Sequence, residues 1–168
     1  PYLTKTAPST VNPGATLQYA INYGNTSNQT VNNVYIIDTL PDYDSDGTVD
    51  VTFSSISGTN GESFYYHAGP IGSLPVFDPA SPLSGGWAAT PVAPVTHIAI
   101  RKPTLAGLAG PFNVKINVIM SDPDTSLPVA TGLTFTNNAT IALPASSTDA
   151  VLTNNTGTAV TKTPGFDL

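Results

Sequence analysis

The sequence predicts an all-β protein folded as an antiparallel β-sandwich, and three observations carry that expectation. Apolar residues recur in short alternating runs, with no sustained 3.6-residue periodicity. Turn residues punctuate the runs at Asn12-Pro13-Gly14, Gly24-Asn25, Gly58 to Gly61, Asp122-Pro123-Asp124 and Pro144. The composition leans on Thr, Val, Ser and Asn, with 14 glycines and 16 prolines, and Thr and Val suit a pleated sheet.

Taken in order, nine strands are expected within one domain spanning residues 1–168. Residues 2–7 place Leu3, Lys5 and Ala7 on one face, and 15–23 places Leu17, Tyr19, Ile21 and Tyr23 on one face. Residues 31–40 carry Val34, Ile36, Asp38 and Leu40 in alternation. The runs 49–57 and 63–67 lie on either side of the Gly58–Gly61 turn. Residues 96–102 and 111–120 are apolar and β-branched. Residues 133–142 alternate Phe135, Asn137, Ala139 and Ile141, and 157–163 closes the set. This spacing predicts an immunoglobulin-like layout.

Residues 69–94 break the rhythm as a long insertion rich in Pro, Gly and Ser that carries Phe77 and Trp87. Two readings are open: a loop tucked on the sandwich, or a contact surface formed with Tyr65, Tyr66, Phe77 and Trp87. The ends resemble each other, Thr4-Lys5-Thr6-Ala7-Pro8 against Thr161-Lys162-Thr163-Pro164. The chain therefore reads as one period of a tandem array, with 157–168 a linker or strand leading to the next repeat or subunit.

Charge narrows the partners. Lys and Arg total 5 against 11 Asp and Glu, for a net charge of −6, which argues against nucleic acid. No apolar run approaches the roughly 20 residues of a membrane-spanning helix. There is no cysteine, so neither a disulfide framework nor a thiolate metal site is expected. No signal peptide is visible, which reads as a mature fragment or an internal piece.

The acidic residues are concentrated. Asp42, Asp44, Asp46, Gly47 and Asp50 follow D-x-D-x-D-G-x-x-D. Alternate carboxylates in a tight loop, with the Thr48 carbonyl at the seventh position, can converge on Ca2+. Position twelve is Phe53 rather than a bidentate Glu, so the loop resembles those of dockerins and thrombospondin-type repeats. It predicts modest affinity, in the roughly 10⁻⁴–10⁻³ M range. The other reading is a solvated acidic hairpin. Asp122 and Asp124 form a weaker candidate, read as a simple turn.

Alternation also points three polar side chains inward: Lys5, Asp38 and Asn137. A buried lysine is pushed toward its neutral amine, a nucleophile. The Asn137 amide is an acceptor, and the Asp38 carboxyl could polarise it and shuttle protons as ammonia leaves. The product would be an intramolecular Lys5–Asn137 isopeptide, formed once in a chain that has no disulfide. A hydrogen-bonded polar cluster is the other reading of the same three residues.

The segment VNPGATLQYAINYGNTSNQTVNNVYIIDTLP resembles the signature of the domain-of-unknown-function-11 repeat of prokaryotic surface proteins. The matching residues are Pro13-Gly14, Tyr19, Asn25, Asn33-Val34 and Asp38-Thr39-Leu40-Pro41. Later come Asn137-Asn138-Ala139, Asp149 and Asn154-Asn155, with Lys5-Thr6 at the start. Residues 69–94 have no counterpart. The resemblance implies an immunoglobulin-like sandwich strung in tandem at the cell surface. It is also similar to pilin and adhesin domains with Lys–Asn isopeptides, which implies Lys5 as nucleophile, Asp38 as proton shuttle and Asn137 as acceptor.

His67 and His97 have no Ser, Cys or Asp at catalytic spacing, and no enzyme activity is expected. The leading expectation is an extracellular structural subunit of a stalk, sheath or filament, partnered by copies of itself or neighbouring repeats. In a polymer of separate subunits, 157–168 or 1–7 would be the donated strand. The alternative is an adhesin domain that binds a glycan or protein through the 69–94 insertion. Sequons begin at Asn25, Asn28, Asn138 and Asn154 and leave glycosylation open.

Overall fold

The computed structural model describes residues 1–165. It holds nine strands: β1 (Tyr2–Thr6), β2 (Thr16–Gly24), β3 (Val31–Thr39), β4 (Thr52–Gly58), β5 (Ser63–His67), β6 (His97–Leu105), β7 (Phe112–Ile119), β8 (Thr134–Ala142) and β9 (Thr156–Lys162). A single 3₁₀ turn, Leu152–Asn154, is the helical element among the described residues. No helix among them is long and apolar enough to cross a membrane.

The strands form two antiparallel sheets, β1-β2-β7-β4 and β5-β6-β3-β8-β9, packed face to face. The chain is an all-β, immunoglobulin-like sandwich. Alternation builds its core. β2 contributes Leu17, Tyr19, Ile21 and Tyr23, β7 Val114, Ile116 and Val118, β3 Val34 and Ile36, and β8 Phe135, Ala139 and Ile141, all buried.

Two strands depart by three residues from their sequence-expected bounds, for local reasons. β6 continues past Lys102 through Pro103, which cannot donate to a ladder. The register with β3 runs Asn32↔Thr104 then Val34↔Lys102, skipping Pro103 and Asn33, and Asn33 takes φ 55° there. β4 starts at Thr52 rather than residue 49, because Val49, Asp50 and Val51 are buried as the return arm of the acidic turn, with Asp50 N–H donating to Pro41 O at 2.9 Å.

After β1 the chain changes sheets. Lys162 N–H donates to Ser9 O at 2.9 Å, and Val11 N–H donates to Lys162 O at 3.0 Å. The N-terminal segment thus belongs to one sheet before Pro8 and lies beside β9 of the other after it. Gly157 makes this closure possible: a Cβ there would lie 2.8 Å from the Lys5 backbone nitrogen.

Both expected donor segments are built into the chain's own sheets, β1 against β2 and β9 against β8. Of the two readings of this segment, linker or strand, residues 157–162 take the strand: their alternating inward residues, Gly157, Ala159 and Thr161, are buried as the edge of the second sheet. The last part of the 157–168 segment, residues 166–168, lies outside the described residues.

Candidate functional site

Lys5, Asp38 and Asn137 come together between the sheets. β1 supplies Lys5 from one sheet, and neighbouring strands β3 and β8 supply Asp38 and Asn137 from the other. Asp38 pairs with Ala139 across the ladder, so Asn137, two residues away on β8, is its diagonal neighbour on the same face. The Lys5 Nζ donates to Asp38 Oδ2 and to Asn137 Oδ1. The Lys5 and Asp38 side chains have no solvent exposure.

Burial pushes the Lys5 ammonium below its ordinary value, and the adjacent Asp38 opposes that shift. The lysine is therefore poised between an ion pair and a neutral amine beside a carboxyl. Tyr19, one strand over on β2, walls the site, with Lys5 Nζ 4.7 Å from its ring centroid. Asp38 Oδ1, Asn137 Nδ2 and the Tyr19 hydroxyl are all buried without a hydrogen-bond partner. Unsatisfied buried polar atoms cost about 1–3 kcal/mol each, so three in one place call for a reason beyond packing.

The acidic turn brings three of its expected ligands together. One carboxylate oxygen from each of Asp42, Asp44 and Asp50 lies within 4.8 Å of the others. Asp46 is not in that group. Its carboxylate accepts from the Thr48 N–H at 2.8 Å and from the Thr48 hydroxyl at 2.6 Å, closing a local turn. Asp42 Oδ2 accepts the Gly47 N–H at 2.9 Å, and Gly47 itself takes φ 92°. Asp50 is mostly buried and accepts the Tyr43 N–H at 2.6 Å. Burial and the surrounding carboxylates raise its pKa to about 6. Asp122 and Asp124, read from sequence as a separate turn, line the same hollow of about 410 Å³ as Asp44, Asp46 and Asp50. Their approach depends on how the β7–β8 connection folds back, which local pattern does not specify.

The insertion takes the first of its two readings, a loop tucked on the sandwich, so Phe77 and Trp87 do not form the aromatic contact surface of the second. Phe77 and Trp87 are buried with Ile37 and Ala99, and Tyr35 and Tyr65 pack against them. Ile37 and Ala99 lie on the outward face of the second sheet, where alternation leaves apolar groups that need cover. The Trp87 indole donates to Val76 O at 2.9 Å, and its ring packs 5.2 Å from His67. Tyr66 faces the other way, into the main core against Phe53. The insertion's exposed apolar side chains are instead Leu74, Val76, Leu83 and Val92.

His97 is fully buried beneath the insertion. Its Nδ1 lies 3.0 Å from the Thr96 hydroxyl, which donates to His67 O, so the Nδ1–H tautomer fits and Nε2 is left without a partner. Sequence reasoning missed Tyr19 as part of the polar cluster, although its parity with Ile21 places it on the inward face. The sequence leaves His97 as a surface or a core histidine, and it is a core one, on the face where Ile37 and Ala99 need cover.

Other motif residues hold loops in place. Asn25 Nδ2 donates to Gln29 O and Ala106 O, and Asn155 Nδ2 donates to Asp149 Oδ2 at 2.9 Å.

The chain matches no protein-family model, and it matches no curated protein sequence. Among solved structures it is similar to a collagen-binding domain from a Staphylococcus aureus adhesin, at 11% identity over 96% of this chain and 97% of that one, TM-score 0.44. It is similar to a cohesin module from a Clostridium perfringens family 33 glycoside hydrolase, at 10% identity over 97% of each chain, TM-score 0.48. A third likeness is to the major subunit of aggregative adherence fimbriae type I from Escherichia coli, at 12% identity over 97% of this chain and 94% of that one, TM-score 0.42.

Proposed function

We propose that the chain is a load-bearing structural module of an extracellular stalk, sheath or filament, stapled by a Lys5–Asn137 isopeptide. The observation that supports this most is the contact of Lys5 Nζ with both Asp38 and Asn137 in the buried core. Asp38 takes a proton from the Lys5 ammonium, and the neutral amine attacks Asn137 Cγ. The Nζ–Cγ bond forms and the Cγ–Nδ2 bond breaks. Asp38 carries an amine proton to the departing nitrogen, which leaves as ammonia. The chain makes this bond once and does not turn over.

The position of the bond suits a mechanical task. It joins the first strand of one sheet to the eighth strand, in the other sheet, so a pull on the two chain ends meets a covalent tie. Asp42, Asp44 and Asp50 would hold a calcium ion that stiffens the turn after β3. The module would join copies of itself or neighbouring repeats end to end at the cell surface.

Force spectroscopy of a tandem polyprotein tests the role. A stapled module extends only outside the Lys5–Asn137 loop and gains roughly 130 Å, whereas an unstapled one releases nearly its whole chain, roughly 600 Å. Full-length extension overturns the mechanical reading.

A second reading, an adhesin domain, is favoured by one observation. The insertion exposes Leu74, Val76 and Leu83 on its outer side. A glycan or protein ligand would then meet those residues rather than the buried aromatics.

A further inference from the structure

The polar atoms left unpartnered around the cross-link site are not scattered. Asn137 Nδ2, the nitrogen that must depart, is buried without an acceptor, and the Tyr19 hydroxyl is buried without a partner. Burial raises the Tyr19 ionisation, Asp38 adds to that rise, and the Asn137 side chain opposes it with a smaller effect. Burial prevails and holds the Tyr19 ionisation above its ordinary range, so its hydroxyl stays a donor. The ring of the same residue faces Lys5 Nζ. One side chain thus lays its ring against the nucleophile and buries its unpartnered hydroxyl in the same polar cluster as the unpartnered leaving nitrogen.

We propose that Tyr19 is a positioning residue for the Lys5–Asn137 cross-link, its hydroxyl holding the Asn137 amide nitrogen as that nitrogen becomes ammonia. This rests on the isopeptide reading above. In the planar amide, Nδ2 has no available lone pair, and the hydroxyl can only accept from it. Once Nζ has added to Cγ, the centre is tetrahedral and Nδ2 becomes a basic amine with a free lone pair. The Tyr19 O–H then donates to that lone pair and fixes the direction in which it accepts the proton. The proton itself comes from the Lys5 amine through Asp38, so Tyr19 ends the reaction unchanged. The Lys5 ammonium loses two protons, one kept by Asp38 and one ending on the departing nitrogen; Asn137 loses its NH2, and one ammonia is formed.

The structure separates this role from simple packing. An unpartnered buried hydroxyl is a liability to the fold, so Tyr19→Phe should leave stability unchanged or raise it. The test uses the full chain recovered unfolded in urea before it has cross-linked, with folding started by dilution. Trp87 fluorescence follows folding, and mass spectrometry of quenched samples follows ammonia loss. Tyr19→Phe is expected to fold at the wild-type rate but cross-link about tenfold more slowly or worse. In an Asn137→Ala background, which keeps the Lys5–Asp38 pair and cannot cross-link, Tyr19→Phe should not lower the melting temperature.

Equal cross-linking rates in wild type and Tyr19→Phe overturn the inference and leave the isopeptide reading standing. Slower cross-linking with a lowered melting temperature in the Asn137→Ala background also overturns it, because the hydroxyl would then serve the fold. No ammonia loss in the wild type overturns both readings together.

Discussion

Lys5 and Asn137 touch across the sandwich although 132 residues separate them in sequence. A covalent bond between them would close a loop that encloses most of the chain. By analogy with disulfides, closing a loop of this size removes about 4–5 kcal/mol of unfolded-state freedom. Asn137→Ala is the cleanest way to expose that contribution, because the Lys5–Asp38 pair stays intact. The variant is expected to melt roughly 10–20 °C below the wild type in a calorimetric scan. A difference within a degree or two would mean that no tie exists to lose.

The acidic turn carries a calcium expectation. With affinity near 10⁻³ M, 10 mM calcium should stabilise the fold by about 1.4 kcal/mol, read as a rise in melting temperature over a chelated sample. Asp44→Asn should remove most of that rise, since Asp44 belongs to the convergent group. Asp46→Asn should weaken the turn without calcium, because its carboxylate serves Thr48. Magnesium should substitute poorly, given its demand for octahedral geometry.

Two buried groups give pH effects of opposite sign. His97 is held neutral, its pKa lowered to about 4 from 6.5 by burial and by the neighbouring His67. The unfolded chain therefore takes up its proton first, and stability is lost as pH falls from about 6.5 to about 4. Asp50 is the reverse case. Its folded value, raised from 3.8 to about 6, makes the folded chain the better proton binder, so stability is lost as pH rises through that interval. The two slopes oppose each other in a chelated sample. Asp50→Asn should leave the His97 slope alone, seen as acid destabilisation in urea melts. Trp87 fluorescence should report it, because Trp87 and His97 both flank His67.

Alternation made much of the molecule legible. Nine strands were expected and nine are present among the described residues, because most of them bury one face in a period that the residues display. The same parity found Lys5, Asp38 and Asn137, since polar residues at inward positions stand out against Leu3, Ile36 and Phe135. What parity could not show was which face of the second sheet would need cover. Ile37 and Ala99 alternate outward, and Trp87 and Phe77 reach them through an insertion with no period of its own. Nor could it show that Asp46 would turn back on Thr48, a choice made by local hydrogen bonds rather than by spacing.

The covalent tie is tested most directly by the intact mass of the folded, purified chain. A mass about 17 Da below that of the sequence, one ammonia lost, is the expected result, together with a branched peptide joining Lys5 to Asn137 after proteolysis. The full sequence mass, with both residues recovered on separate peptides, would contradict it.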